Sequence, residues 1–165
     1  FVCKSGAGKS SIALALMNNG LRLVTEDLCI IKNKNIYNFS SWIKSTKSSI
    51  PEELAYLDKI LIKNDSRQRS LFKFDNRHIS KSKNKLKAIY FLNYANDAEI
   101  IELNPLDAFR HLFTYAYRTN EQDKNSLEKL TELCRETKCY LFSRDLNKPL
   151  HENKKIILNH LNQIL

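Results

Sequence analysis

The residues near the start of the chain have the types and the spacing of a site that binds phosphate. The chain has only three glycines, and two of them, Gly6 and Gly8, fall in a window that matches the pattern G-x-x-x-x-G-K-[ST]. Loops with this pattern curl their backbone N–H groups around an anion, and the following helix directs its positive N-terminus at it. Lys9 is then expected to reach the β- and γ-phosphates of a nucleotide, and the Ser10 hydroxyl to ligate Mg²⁺.

The segments on either side of this window favour a phosphate loop over an ordinary glycine turn with a surface lysine. Phe1-Val2 is the end of an apolar run typical of a strand, and residues 11–17 are helix formers at helical spacing. Gly20 supplies the left-handed residue that ends such a helix. Cys3 stands where the first glycine of the pattern usually occurs, but it removes none of the donors that bind phosphate. The residues predicted to bind the nucleotide are Cys3, Lys4, Ser5, Gly6, Ala7, Gly8, Lys9 and Ser10.

Two adjacent carboxylates, Glu26 and Asp27, form the second candidate group. They follow residues 21–24, which are predicted to form a short strand, and ligands of open α/β sheets bind at the ends of strands. One carboxylate is then expected to hold Mg²⁺, and the other to accept the proton of an attacking hydroxyl. The simpler alternative is a pair of acids in a turn. We favour the catalytic interpretation because the phosphate loop lies one helix upstream.

The strands and helices predicted around these residues indicate an α/β fold in a single domain, 1–165. Strands are predicted at residues 28–31, 36–39, 70–74, 88–92, 99–103 and 139–142. Helices are predicted from Pro51, with an apolar stripe of Leu54, Leu57, Ile60 and Leu61, after the cap Asn104-Pro105, from Ser126 and from Pro149. Residues 40–50 are predicted to be irregular, and the basic run 77–87 to be a solvated connector. The sequence begins in mid-strand without a methionine, so we expect that an N-terminal segment is missing.

The composition indicates which binding partners and which cellular compartment to expect. The net charge of +9 would suit a nucleic-acid partner, but the basic residues are spread along the chain. Lysines greatly outnumber arginines, which an AT-rich coding sequence would produce by itself, so nucleic acid is not a predicted partner. No apolar stretch is long enough to span a bilayer. The four cysteines have no zinc-binding spacing, and we expect a reducing, cytoplasmic compartment.

The order of these segments resembles the catalytic domain of HPr kinase/phosphorylase and its shorter relatives. The loop 5–10 leads into the helix 12–17 and then into residues 19–27, which are similar to the "G-x-R-h-h-x-D-D" segment of that family. Residues 87–92, residues 101–108 and a final strand and helix follow in the order typical of the shorter members. The resemblance covers most of the chain, and residues 3 to 31 carry nearly all of its specificity.

The resemblance implies a P-loop kinase fold of the HPr kinase / phosphoenolpyruvate carboxykinase type, with a mixed sheet and flanking helices. By position, it implies that Lys9 binds phosphate, that Ser10 and Asp27 hold the metal, and that Glu26 is the acid/base for an acceptor hydroxyl. Glu26 replaces an aspartate of the family. The family's Arg-Gly-x-Gly signature, tied to the phosphorylase direction, is absent, since Gly20 is the only glycine after the loop. We therefore expect a kinase-like relative rather than a bifunctional enzyme.

These observations together predict an enzyme that transfers the γ-phosphoryl group of ATP to a hydroxyl. The resemblance implies ATP and Mg²⁺ as cofactors and, as the acceptor, a serine of a peptide or protein. Two alternatives stay open: a small-molecule kinase with the same catalytic residues, and an ATP-binding regulatory module that has lost catalysis. Because HPr kinases are oligomers, a homo-oligomer is a further expectation from the resemblance.

Overall fold

The computed structural model describes residues 1–26, 28–37, 42–46, 50, 58–61, 68–80, 83–116, 124–145 and 147–164. These residues form four helices and three three-stranded sheets, which confirms the α/β class. The chain divides into two compact units, one of Phe1–Lys9 with Leu86–Leu165 and one of Ser10–Lys85. The assignment of 1–165 to a single domain stays a prediction. Within the described ranges, no helix is both long enough and apolar enough to cross a membrane.

The predicted strands and helices of the second half of the chain are found, with bounds that differ by a few residues. The helices are α1 (Lys9–Met17), α2 (Pro105–Tyr115), α3 (Lys124–Glu136) and α4 (Leu150–Ile164). The strands are β1 (Ile30–Lys32), β2 (Asn35–Tyr37), β3 (Trp42–Ser45), β4 (Asp58–Leu61), β5 (Ser70–Lys73), β6 (Asn84–Lys85), β7 (Ala88–Ala95), β8 (Glu99–Leu103) and β9 (Lys138–Asp145).

The first unit is built on the sheet β7-β9-β8. Strands β7 and β9 are parallel, and β8 pairs with β9 in the antiparallel direction. The start of the chain joins this sheet, because Val2 N–H donates to Tyr90 O at 2.8 Å and Val2 O accepts from Leu92 N–H at 2.9 Å. The predicted strand before the phosphate loop is thus present as a short parallel pairing with β7. The core of this unit contains Ile89, Phe91, Ala108, Leu112, Cys134 and Cys139.

Asn104 caps α2, as the sequence predicts. Its Oδ1 accepts hydrogen bonds from the N–H groups of Leu106 and Asp107, both at 3.0 Å, and Pro105 takes the first helical position. Its Nδ2 donates to Asp107 Oδ2 at 2.7 Å. Two of the N–H groups that a helix start leaves without an intrahelical acceptor are therefore bonded.

We expect Asn104→Ala to lower the free energy of unfolding by about 1 kcal/mol, because both amides lose their acceptor. In a chain of this length, the melting temperature should fall by about 2–4 °C, as measured by circular dichroism. Asn104→Ser keeps an acceptor at the cap and should stay within about 0.5 kcal/mol of the parent. Equal melting temperatures for the parent and Asn104→Ala would contradict the capping role.

The second unit contains two small sheets. The strands predicted at 28–31 and 36–39 are present, with shifted bounds, as the hairpin β1-β2. Its turn residues Asn33 and Lys34 have φ angles of 50° and 56°, as two-residue hairpin turns require. Strand β6 extends this sheet beside β2. In the other sheet, β5 lies between β3 and β4 and is antiparallel to both. The core of this unit contains Leu14, Met17, Leu23, Ile43, Phe72, Phe74 and Ile79.

Strand pairing overturns two local predictions in this unit. Part of the segment 40–50, predicted to be irregular, forms β3, because Ile43 is buried in the core and the backbone pairs with β5. The predicted helix from Pro51 is wrong where it overlaps Asp58–Leu61, since these residues pair with β5 as strand β4. Residues 51–57 of that prediction lie outside the described residues.

The segments around Leu23 and Ile79 also differ from the prediction. Within residues 21–24, the structure has a single parallel bridge from Leu23 to Ile79 in place of the predicted strand. Leu23 N–H donates to His78 O at 2.7 Å, and Ser80 N–H donates to Leu23 O at 2.9 Å. The basic run 77–87 is therefore not simply a solvated connector, because Ile79 is 3% exposed and belongs to the core. The polar and basic residues around Ile79 concealed this buried apolar position.

Candidate functional site

The candidate phosphate loop, Cys3–Gly8, leads directly into α1. Gly6 has a φ of 89° and Gly8 a φ of 81°, values that residues with a side chain rarely adopt. Ala7 N–H donates to Lys4 O at 3.1 Å, which closes a turn inside the loop. The two glycines that stand out in the sequence therefore lie where the backbone conformation requires glycine.

The loop ends at the start of a helix, which is the electropositive end. Helix α1 begins at Lys9, and the first N–H groups of any helix lack an intrahelical acceptor and carry partial positive charge. The predicted nucleotide-binding residues differ in exposure along the loop. Lys4, Ser5 and Gly6 are exposed, Ala7 is buried, and Cys3, Gly8, Lys9 and Ser10 are partly buried.

Cys3 fits the loop without a glycine's conformational freedom. Among the described residues, the non-glycine positions with positive φ are Asn33, Lys34 and Gln68, so Cys3 has an ordinary backbone conformation. Burial raises the pKa of the Cys3 thiol, and the nearby Lys9 charge, the Lys9 backbone N–H and the Arg144 charge act in the opposite direction. Burial is the larger effect, so the thiol is neutral at physiological pH.

We expect iodoacetamide to alkylate Cys3 slowly at neutral pH, because the thiolate is the reactive form. The rate should continue to rise beyond about pH 8.5, the ordinary pKa of a cysteine. Lys9→Ala should slow the reaction further, since it removes a positive charge that favours the thiolate. Peptide mass spectrometry measures the rate, with the buried Cys139 as the unreactive control. A half-maximal rate well below pH 8.5 would contradict the dominance of burial.

Ser10 and Glu26 meet, a contact that the sequence did not predict, since the resemblance pairs Ser10 with Asp27 at the metal and gives Glu26 the acid/base role. Ser10 Oγ donates to Glu26 Oε1 at 2.6 Å, and Lys44 N–H donates to Glu26 Oε2 at 2.9 Å. Lys44 lies in β3, within the segment that the sequence analysis treats as irregular, so this anchor was not foreseen. The carboxylate is thus held between the first turn of α1 and a strand.

This pair has the donor chemistry that Mg²⁺ prefers. A serine hydroxyl and a carboxylate are hard oxygen ligands, and Mg²⁺ commonly takes only one or two protein ligands besides phosphate oxygens and water. The predicted second carboxylate, Asp27, lies outside the described residues. No cluster of three or more His, Cys, Asp and Glu side chains suited to a metal occurs among the described residues. The chemistry of the pair fits a magnesium ion that is bound together with phosphate oxygens.

Two side chains that the sequence analysis missed contact the loop from β7 and β9. Tyr94 Oη donates to Gly6 O at 2.9 Å, and Arg144 Nη1 donates to Ala7 O at 3.2 Å. Tyr94 and Arg144 are register partners in the parallel pair β7–β9, so their side chains lie on the same face of the sheet. Both lie near the carboxyl ends of their strands, where open α/β sheets bind ligands.

Two histidines and a second arginine of the first unit have local partners. His111 stacks on Phe91, with ring centroids 5.1 Å apart, and His160 Nδ1 lies 2.7 Å from Tyr90 Oη. Arg110 forms an exposed ion pair with Asp107 at 3.0 Å. These local contacts explain the positions of the three side chains, and no ligand is needed to account for them.

Comparisons of the chain with protein-family models, with curated proteins and with solved structures find no match. A functional interpretation therefore depends on the chain's own residues. Three features are relevant: the loop with its two left-handed glycines, the Ser10–Glu26 hydrogen bond, and the Tyr94 and Arg144 side chains, which donate to the loop carbonyls.

Proposed function

We propose that this chain is an ATP-dependent kinase that transfers the γ-phosphoryl group to a hydroxyl, most directly a serine of a peptide or protein. The observation that carries the proposal is a loop with left-handed glycines at positions 6 and 8 that runs straight into a helix beginning at Lys9. The Ser10–Glu26 hydrogen bond supports it. A P-loop kinase fold of the HPr kinase / phosphoenolpyruvate carboxykinase type is part of the same proposal.

The loop and the residues that follow it have separate roles in this proposal. The loop amides and the Lys9 ammonium bind and orient the β- and γ-phosphates, and their positive charge stabilises the charge that develops during transfer. Ser10 and Asp27 hold Mg²⁺, which supplies further positive charge at the phosphate oxygens. Catalysis of this kind needs few residues, because it consists mainly of positioning and electrostatic stabilisation.

The contacts of Glu26 refine its proposed role. Both of its oxygens accept hydrogen bonds, from Ser10 Oγ and from Lys44 N–H. A carboxylate held at both oxygens orients the serine hydroxyl and is poorly placed to take up the proton of an incoming acceptor. We therefore assign Glu26 to the orientation of Ser10 on the metal side of the site, in place of the acid/base role that the resemblance implies.

The nucleotide site is tested by calorimetric titration of MgATP into the parent, Lys9→Ala and Lys129→Ala proteins. We expect Lys9→Ala to weaken binding about tenfold or more, because a charge-assisted contact to phosphate is lost. Lys129→Ala removes an equal charge from an exposed position of α3 and should stay within about threefold of the parent. Absence of binding by a folded parent protein would contradict the proposal.

Transfer is tested separately, by incubation with MgATP and serine-containing peptides and by detection of phosphoserine in a mass spectrometer. Transfer that disappears in Lys9→Ala supports the kinase. Binding that depends on Lys9 without transfer to peptides or to small hydroxyl compounds would instead favour an ATP-binding regulatory module.

The assignment of Glu26 predicts a metal-dependent defect. Glu26→Gln should weaken MgATP binding about tenfold, because the orienting charge is lost, and should change binding of ATP in EDTA by less than about threefold. Ser10→Ala is the matched variant and should show the same pattern. Unchanged affinities combined with slower transfer would return Glu26 to the acid/base role.

A further inference from the structure

Arg144 is a buried arginine whose charge has no acidic partner among the described residues. Its side chain is 8% exposed at the end of β9, and its guanidinium lies 5.8 Å from the centre of the Tyr94 ring. Its Nε is buried and has no hydrogen-bond partner among the described residues. The adjacent carboxylate of Asp145 does not pair with it, since Asp145 accepts from Asn147 N–H at 2.8 Å and lies 3.7 Å from Lys148 Nζ.

A buried guanidinium without a counter-charge is costly, because the loss of hydration is not compensated. The contacts that Arg144 does make, one carbonyl and one aromatic ring, are weaker than an ion pair. Since no described acidic residue balances this charge, a bound anion would stabilise it. The adjoining phosphate loop would supply this negative charge when it binds a phosphate.

The hydrogen bond from Arg144 also fixes the direction of a loop amide. In a trans peptide group the C=O and the N–H point in opposite directions. Because Arg144 Nη1 holds Ala7 O, the N–H of Gly8 points away from the guanidinium. Tyr94 holds the preceding carbonyl, Gly6 O, in the same way. Two successive peptide groups are thus oriented from one side.

The Arg144 guanidinium packs directly against Gly8. A Cβ built on Gly8 would overlap Arg144 Nη1, so the guanidinium occupies the space that the missing side chain leaves. The Arg144 charge also acts on the Cys3 thiol at the start of the loop, where it opposes the effect of burial on the pKa.

We propose that Arg144 is the positioning residue of the phosphate loop: it holds the Ala7–Gly8 peptide so that Gly8 N–H faces the bound phosphate, whose charge balances the buried guanidinium. The inference rests on the proposed function, since it requires that the loop bind a phosphate. It adds a role for the strand pair β7–β9, which the kinase proposal does not use.

The test is a titration of MgATP and of inorganic pyrophosphate into the parent, Arg144→Met, Arg144→Lys and Arg110→Met proteins. We expect Arg144→Met to weaken both ligands about tenfold or more, and Arg144→Lys to recover part of the loss, because it keeps the charge and a donor. Arg110→Met removes an exposed arginine of the same unit and should bind both ligands like the parent.

A melting curve without ligand separates this role from ordinary packing. Because no described acidic residue pairs with the buried charge, Arg144→Met should melt at the same temperature as the parent or higher when no ligand is present. Pyrophosphate should then raise the melting temperature of the parent more than that of the variant. A lower melting temperature for the empty variant together with parent-like affinity would overturn the inference and make Arg144 a packing residue.

Three further outcomes are decisive. If Arg144→Met does not fold, the comparison passes to Arg144→Lys and Tyr94→Phe, and parent-like binding of pyrophosphate by both would overturn the inference. If the parent binds pyrophosphate with dependence on Arg144 but does not bind MgATP, the kinase proposal fails and the positioning role stands. If the parent binds neither, both fail.

Discussion

The candidate site depends on the orientation of two successive peptide groups, Gly6–Ala7 and Ala7–Gly8. Their carbonyls accept hydrogen bonds from Tyr94 and Arg144, and left-handed φ angles at both glycines make this orientation accessible. The sheet of the first unit supplies the constraint, because the register of β7 and β9 places the two donors side by side. If these peptide groups rotated, carbonyl oxygens would point to the side of the loop where the amides now point.

The Ser10–Glu26 hydrogen bond is the second constraint. It couples the Ser10 hydroxyl to the core of the second unit. Glu26 is held from β3 through Lys44 N–H, and β3 carries the buried Ile43. The position of the carboxylate is therefore coupled to a packed strand rather than to a free loop. A hydroxyl and a carboxylate held in advance at hydrogen-bond distance need little reorganisation to accept a cation with its nucleotide.

Local signals in the sequence predicted the local features. The glycine spacing, the helix after it, the Gly20 end with its φ of 87° and the Asn104 cap each depend on a few neighbouring residues, and each is found. Strands β3 and β4 were mispredicted because their pairing with β5 is a tertiary effect that local propensity does not encode. Arg144 and Tyr94 were missed for the same reason, since only the register of two strands distant in sequence brings them to the loop.

The most direct test of the loop as a phosphate site is an amide NMR spectrum of protein labelled with ¹⁵N-glycine. The chain has only three glycines, so the spectrum contains Gly6, Gly8 and Gly20, and Gly20 lies outside the loop as an internal control. On addition of MgADP, the Gly8 amide proton should move downfield as it donates to phosphate, Gly6 should shift as well, and Gly20 should stay in place. Unchanged Gly6 and Gly8 signals at saturating nucleotide would contradict the account.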